Sequence, residues 1–143
     1  MKILVTGGCG FIGSNFIHYW LSRHSDDFIV NLDKLTYAAN PQSLRDLDEN
    51  PHYVFVQGDI CDDAIVDKIL SDKIELIVHF AAESHVDRSI DDPLLFVKTN
   101  VLGTYTLLNS AKKHGNIRFH HISTDEVFGS IPFGSSAQFS EET

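Results

Sequence analysis

The sequence predicts an α/β protein built on a doubly wound parallel β-sheet, and three observations lead to this fold class. Short runs rich in Val, Ile and Phe alternate with segments of helical periodicity. The runs show little strict alternation of polar and apolar residues, which is typical of strands buried on both faces of a parallel sheet. A glycine-rich turn joins the first run to the first helical segment. Right-handed β–α–β crossovers are expected between the strands.

Hydrophobic periodicity sets the bounds of the expected elements. The predicted strands are residues 3–6, 28–32, 53–57, 76–80 and 117–123, and the predicted helices are residues 11–23, 43–50, 62–71 and 92–114. Pro93 stands in the first turn of the last and longest helix, where a missing N–H is tolerated, and Gly115 follows that helix as a C-terminal cap. One apolar face of this helix is formed by Leu94, Val97, Val101, Tyr105 and Leu108.

Composition and charge narrow the range of partners. The chain has 143 residues, which suits a single domain over residues 1–143. Its formal net charge of −9 argues against nucleic acid and anionic membrane surfaces, because both attract clustered Lys and Arg. No apolar run approaches the roughly 20 residues of a membrane span. The two cysteines lie in different segments, so we expect a reducing, cytoplasmic compartment.

The segment after the first strand has the spacing of a phosphate-binding turn. Gly7, Gly10 and Gly13 recur at every third position between strand and helix. The first glycine permits a tight turn, the second lets backbone N–H groups approach a pyrophosphate, and the third lets helix and strand pack closely. The helix N-terminus then offers unpaired donors to the phosphates. The spacing alone is equally compatible with an ordinary glycine-rich turn.

An acidic residue at the end of the second strand strengthens the dinucleotide interpretation. Asp33 lies about 20 residues after Gly13, where the fingerprint places a carboxylate on a ribose hydroxyl. Strand, glycine turn, helix and acid together predict a Rossmann-type dinucleotide-binding domain. A carboxylate there repels a 2′-phosphate and favours NAD over NADP, although the neighbouring Lys34 weakens that preference.

The ends of the third and fourth strands carry further candidates. Asp59 could contact a ligand or cap the acidic helix that follows. Ala81 and Ala82 would let the chain pass close to a cofactor, whereas His85 on position alone is a surface histidine. Thr99-Asn100 could lie on a solvated helix face. The eight histidines form no ligand-spaced cluster with cysteines or acids, so no metal site is expected.

The stretch after the fifth strand contains candidates for acid–base chemistry. Thr124, Asp125 and Glu126 follow the strand end, where ligands bind in sheets of this kind. Adjacent carboxylates are costly unless they stay solvated or take part in chemistry, and such a pair can supply one acid and one base. His120 and His121 would face opposite sides of a strand, so both are interpreted as structural.

Several motifs resemble the extended short-chain dehydrogenase/reductase family and, within it, the dTDP-glucose 4,6-dehydratases. The glycine turn with Phe11-Ile12 resembles the wider family. Residues 33–38, 81–89 and 123–129 resemble the dehydratases, and the Asp125-Glu126 pair is usually absent from related epimerases and decarboxylases. Phe128, where tyrosine is usual, and Cys9, where alanine is common, depart from the pattern. Both changes should be tolerated, although an exposed Cys9 would be prone to oxidation.

The resemblance implies NAD as cofactor and a nucleotide sugar as substrate. The expected cofactor contacts are Gly7, Gly10, Phe11, Ile12, Gly13, Asp33, Lys34, Thr36, Asp59, Ile60, Ala81, Ala82, Ser84 and Thr99. Ser84, His85 and Thr124 would contact the substrate, and Asn100 would brace the backbone of the site.

The implied reaction converts dTDP-glucose to dTDP-4-keto-6-deoxyglucose, with hydride removed from C4 and returned to C6. Glu126 would take the C5 proton, Asp125 would protonate the departing C6 hydroxyl, and Thr124 would bind the C4 oxygen. The Tyr-x-x-x-Lys pair that the family uses for hydride transfer is absent from these residues. We therefore expect a sheet truncated after about five strands, no substrate lobe and little turnover by this chain alone, from a parent that is a homodimer. The alternatives are a non-catalytic NAD-binding module and another nucleotide-sugar enzyme such as an epimerase.

Overall fold

The computed structural model describes residues 1–143 and contains one sheet of five parallel strands. The strands are β1 (Lys2–Thr6), β2 (Phe28–Asp33), β3 (Tyr53–Gln57), β4 (Leu76–His79) and β5 (Arg118–His121). Their order across the sheet is β3-β2-β1-β4-β5, and every neighbouring pair is parallel. The predicted doubly wound α/β fold is confirmed, and β3 and β5 form the two edges.

Helical segments connect the strands. They are α1 (Phe11–Arg23), a 3₁₀ helix (Pro41–Leu47), α2 (Asp63–Leu70), α3 (Val86–Asp91), α4 (Pro93–Phe96), a π-helix (Val97–Gly103), α5 (Thr104–Lys113) and a 3₁₀ turn (Asp125–Phe128). None of them combines the length and the apolar character that crossing a bilayer requires.

Both faces of the sheet are covered, because β1 sends alternate side chains to opposite sides. Ile3 and Val5 pack with α1 and the first 3₁₀ helix, whereas Leu4 packs with α2 and α5. From β1 the chain adds β2 and β3 on one side of the sheet, then returns to the other side of β1 to form β4 and β5. Such a switch point opens a crevice at the carboxyl ends of β1 and β4.

Three helical predictions need correction. The segment predicted as helix 43–50 is the 3₁₀ helix Pro41–Leu47, and the predicted helix 92–114 is divided into α4, the π-helix and α5. Apolar spacing of three and four residues does not distinguish α from π turns, which explains the second error. Helix α3 was missed, since residues 86–91 are mainly polar and no element was predicted for them.

The apolar face of this helical stretch points outward. Leu94 and Val101 are 73 % and 63 % exposed, and the rest of the stripe is exposed as well. The side packed against the protein consists mainly of small and polar residues, namely Gly103, Thr106, Leu107, Ser110 and Ala111. The stripe is therefore a surface feature of this chain and not part of its core.

Glycine is required where α1 meets the turn after β1. A Cβ atom at Gly13 would collide with the Gly7 carbonyl oxygen and lie 2.8 Å from Gly8 Cα, whereas one at Gly10 would lie 3.3 Å from the Gly7 oxygen. We expect Gly13→Ala to lower the free energy of unfolding by about 1–3 kcal/mol, because backbone must move to relieve the overlap. Gly10→Ala should cost less. Urea unfolding of both variants measures the difference, and equal stabilities would contradict this packing.

Candidate functional site

A crevice opens at the carboxyl edge of the sheet, as the switch point requires. Its walls come from the loops after β1 to β4 and from the π-helix. The lining residues are Gly7, Gly10, Leu32, Asp33, Lys34, Thr36, Ala38, Gly58, Asp59, Ile60, Phe80, Ala81, Ala82, Glu83 and Thr99. The crevice thus brings together most of the residues predicted to contact a cofactor.

The glycine turn forms one wall of the crevice. Gly7 has a φ of 71°, and a Cβ there would lie 2.6 Å from the Ala81 backbone nitrogen. Gly10 is the N-cap of α1, no side chain caps that helix, and its first turn contains no acidic residue. The turn therefore presents backbone N–H groups and the positive end of a helix without a competing carboxylate, a suitable arrangement for a phosphate.

Asp33 connects the end of β2 to this turn. Asp33 is 8 % exposed, and its carboxylate accepts hydrogen bonds from the backbone N–H groups of Cys9 (2.9 Å) and Leu35 (2.8 Å). The Cys9 carbonyl in turn accepts from Asn40 N–H at 2.7 Å. The acid and the glycine turn thus form one bonded unit, although they are far apart in the sequence.

Cys9 is buried beneath the turn. Burial, with the nearby Asp33 charge, raises the pKa of its thiol to about 11. The Asn31 amide donates to the Cys9 sulfur at 3.6 Å and to the Tyr53 hydroxyl at 2.9 Å. This thiol stays protonated and is only 2 % exposed, so the condition for oxidation is not met.

Lys34 and Asp59 form an ion pair at the rim, with 2.7 Å between Lys34 Nζ and Asp59 Oδ2. Asp59 also accepts from the Cys61 backbone N–H at 2.9 Å. Burial alone would raise the pKa of Asp59, but the Lys34 and Cys61 donors outweigh it and lower that pKa. The same hydrogen bond raises the pKa of Lys34.

The alternative role of Asp59 as a helix cap is wrong. Helix α2 begins at Asp63, and the side chain of Asp62 accepts from the Ala64 and Ile65 backbone N–H groups. A cap residue immediately precedes the helix it caps. Asp59 lies too far upstream for this role, and its carboxylate lines the crevice.

The wall after β4 is held by Asn100. Its side-chain oxygen accepts from Glu83 N–H and its amide donates to the Glu83 carbonyl, both at 2.8 Å. The predicted bracing contact is therefore present. Glu83 itself is 6 % exposed, and one of its carboxylate oxygens has no hydrogen-bond partner. Sequence reasoning gave Glu83 no role, because an acid in a loop is usually solvated.

His79 is a second residue that the sequence did not single out. It is 1 % exposed, with Nδ1 at 2.6 Å from the Thr6 hydroxyl and Nε2 at 3.0 Å from the Thr104 hydroxyl. Ala81 N–H donates to the same Thr6 oxygen, so the Thr6 hydroxyl can donate to Nδ1 and Nε2–H to Thr104. Thr6 precedes Gly7, so the network fixes the ends of β1 and β4. A polar residue in an apolar run was the available signal.

Some predicted site residues lie outside the crevice lining. Phe11 and Ile12 are 85 % and 61 % exposed, and Gly13 serves helix packing. Ser84 and His85 are exposed beyond the crevice wall.

The predicted catalytic residues stand further along the same edge of the sheet. Thr124, Asp125 and Glu126 are exposed and belong to the 3₁₀ turn after β5 or to its N-cap. Because β5 pairs in parallel with β4, they follow the carboxyl end of the strand next to the crevice. His120 and His121, expected to be structural, are exposed on the edge strand.

Comparison with known proteins identifies the family. A family model described as GDP-mannose 4,6 dehydratase matches residues 4–143. The chain belongs to this family. The dTDP-glucose 4,6-dehydratase of Haemophilus influenzae is 50 % identical in an alignment 153 residues long, gaps included. The alignment covers 100 % of this chain and 45 % of that protein. The predicted resemblance to these dehydratases is confirmed, and the chain spans less than half the length of this relative.

Solved structures of the family share the fold of this chain. The dTDP-glucose 4,6-dehydratase of Bacillus anthracis, in complex with NAD, superposes with a TM-score of 0.88 at 42 % identity, covering 100 % of this chain and 43 % of that one. The enzyme of Streptomyces venezuelae, also with NAD bound, has a TM-score of 0.87 at 50 % identity and covers 94 % and 43 %. The Rossmann-type fold class is confirmed by these matches.

The buried His79 gives stability a defined pH dependence. Burial, and then the charge of nearby His121, lower the pKa of His79 from 6.5 to about 4. As pH falls from 6.5 to 4, the unfolded chain binds a proton that the folded chain does not. We expect the free energy of unfolding to drop over this window, on the order of 3 kcal/mol in total, and then level off for this group.

Urea unfolding at several pH values measures this effect, with His79→Asn as the non-titrating comparison. The variant starts less stable but should show a flatter profile between pH 6.5 and 4. Three carboxyl groups have lowered pKa values in the folded chain, namely Asp27, Asp59 and Asp67. They change the free energy of unfolding chiefly as the pH falls through and below their ordinary pKa of 3.8, and they do so in both proteins. Equal slopes for the two proteins would disprove the assignment to His79.

Proposed function

We propose that the crevice binds NAD, with the pyrophosphate at the glycine turn and the adenosine ribose at Asp33. The observation that carries this proposal is the bonded unit of turn and acid. An uncapped helix N-terminus and a buried carboxylate lie side by side in one crevice. The two solved relatives were crystallised with NAD, which supports the same ligand here.

The residues around the crevice suit the parts of this cofactor. Gly7 and Gly10 let the pyrophosphate approach the backbone, which any larger side chain at Gly7 would prevent through its clash with Ala81. Asp33 and Thr36 would bind the adenosine ribose, and Asp59 with Ile60 would flank the adenine ring. The far wall is lined by Ala81, Ala82 and Thr99, whose small side chains leave room for the rest of the cofactor.

The protein's reaction is proposed to be dehydration of dTDP-glucose, a lyase reaction with no net oxidation. When bound, NAD supplies the capacity to accept a hydride from the sugar and return it later. Thr124 would donate a hydrogen bond to the C4 oxygen of the hexose. Glu126 would remove the C5 proton, which a C4 carbonyl makes acidic, and Asp125 would deliver a proton to the departing C6 hydroxyl.

The geometry supports the participation of these three residues in two respects. Thr124, Asp125 and Glu126 follow the strand next to the crevice and share its edge of the sheet. They are exposed and so remain accessible to a sugar that extends out of the crevice. Ser84 and His85 lie on the exposed loop after β4, where they would contact the substrate.

The surface of the helical stretch supports the proposal of a homodimer. Soluble monomers rarely expose large contiguous apolar patches, and several large apolar side chains, among them Leu94, Val97 and Val101, are exposed along this one helical stretch. A two-fold interface brings the same patch of both subunits together, which suits a stripe of this kind. Both cysteines are free thiols, in keeping with the proposed cytoplasmic location.

NAD binding can be measured on this chain by calorimetry, with Asp33 as the variable. Asp33→Asn removes the negative charge of the carboxylate that would accept a hydrogen bond from the ribose. We therefore expect the variant to bind NAD at least about tenfold more weakly than the wild type does. Asp26→Asn, a loop change at the opposite end of β2, should bind as the wild type does. Thermal unfolding of each variant separates lost contacts from lost structure. Absence of NAD binding by the folded wild type would refute the proposal.

The acid–base roles are tested by rapid-reaction kinetics on the longest form of the protein that can be expressed. Asp125→Asn should leave the first hydride transfer, seen as NADH absorbance, near its wild-type rate. Loss of water, followed by mass spectrometry, should slow about 100-fold, the typical contribution of a general acid. Asp26→Asn again serves as the charge-matched control. Unchanged rates for both steps in Asp125→Asn would rule out its role as the acid.

A further inference from the structure

The ion pair between Lys34 and Asp59 bears on which dinucleotide the crevice prefers. Lys34 directly follows Asp33, and in Rossmann-type sites a basic side chain near this acid is what accommodates the 2′-phosphate of NADP. Judged from the sequence, Lys34 is the one feature that weakens a preference for NAD. In the structure its ammonium group is already engaged, 2.7 Å from a carboxylate oxygen of Asp59.

The surroundings of Lys34 are acidic. Three carboxylates, those of Asp33, Asp59 and Glu83, line the crevice together with this single lysine. Glu83 is nearly buried and has an oxygen without a partner, and its charge acts on Lys34 together with that of Asp59. A 2′-phosphate entering here would have to compete with Asp59 for Lys34, at the expense of the cation that this partly buried carboxylate needs.

We propose that Asp59 sets the preference for a dinucleotide without a 2′-phosphate, by holding Lys34 in an ion pair with which a phosphate would have to compete. The inference rests on the proposed binding of NAD in this crevice. It assigns Asp59 a second role beside its expected contact with the adenine ring. It also turns Lys34 from a feature that favours NADP into one that is neutral.

The test is the ratio of the NADP and NAD dissociation constants, measured by calorimetry on four proteins. These are the wild type, Asp59→Asn, Lys34→Met and the double variant. Both ligands share the adenine, so any loss of adenine contact in Asp59→Asn cancels in the ratio. Releasing Lys34 to pair with a phosphate should shift the ratio about tenfold or more towards NADP in Asp59→Asn.

The Lys34→Met change should abolish that shift in the double variant, because no cation remains to be released. Lys34→Met alone should not move the ratio towards NADP. The control is Asp63→Asn, an exposed acid in the first turn of α2, which should keep the wild-type ratio. This control and the double variant together distinguish release of Lys34 from a general loss of negative charge.

The outcomes separate this inference from the proposed function. If the wild type binds neither dinucleotide, the proposed function fails. If the wild type binds NAD but Asp59→Asn keeps its ratio, the inference about Asp59 is wrong while NAD binding stands. The inference is also wrong if the double variant shows the full shift, since long-range charge would then be the cause.

Discussion

The hydrogen bond from the Cys9 backbone N–H to the buried Asp33 carboxylate holds the candidate site together. It joins the turn after β1 to the end of β2, so that the two parts of the crevice proposed to bind phosphate and ribose are fixed by one side chain. A buried carboxylate is costly unless it is hydrogen-bonded, and the donors here are backbone groups of Cys9 and Leu35. The loops on both sides of the acid therefore take their shape from it.

The opposite wall is fixed by a different set of bonds. His79 ties β4 to Thr6 at the end of β1 and to Thr104 at the start of α5, and Asn100 holds the backbone of Glu83. The two walls of the crevice come closest where Gly7 lies against the Ala81 backbone, and this contact sets the distance between them. A rigid frame of this kind, with donors already directed into the crevice, would reduce the ordering that the proposed binding requires.

Local sequence patterns predicted much of this arrangement. The apolar runs gave the strands with small errors at their ends, and the helix 11–23 was predicted with the bounds that α1 has in the structure. The glycine spacing and Asp33 located the crevice, since their chemistry is encoded locally. The role of Asp59 remained open between ligand contact and helix cap, because the choice depends on where α2 begins.

What the sequence did not show depends on contacts between distant segments. His79 can join β4 to its neighbours only because Thr6 and Thr104 lie on either side of its ring. The isolation of Glu83 from solvent and the pairing of Lys34 with Asp59 also follow from the packing of loops. The outward direction of the stripe containing Leu94 and Val101 has the same origin, as periodicity identifies an apolar face but not what it meets.

The π-helix Val97–Gly103 has a consequence for how the chain can change in length. Its wider turns let two successive side chains serve the same wall, Thr99 lining the crevice and Asn100 bonding to Glu83. If one residue were removed and the segment took up ordinary winding, the flanking helices would keep nearly their present orientation about the axis, but the residues of the segment itself would be redistributed around it at about 100° each. The amide would then leave the loop it supports, so insertions and deletions should be excluded from this segment even where substitutions are accepted.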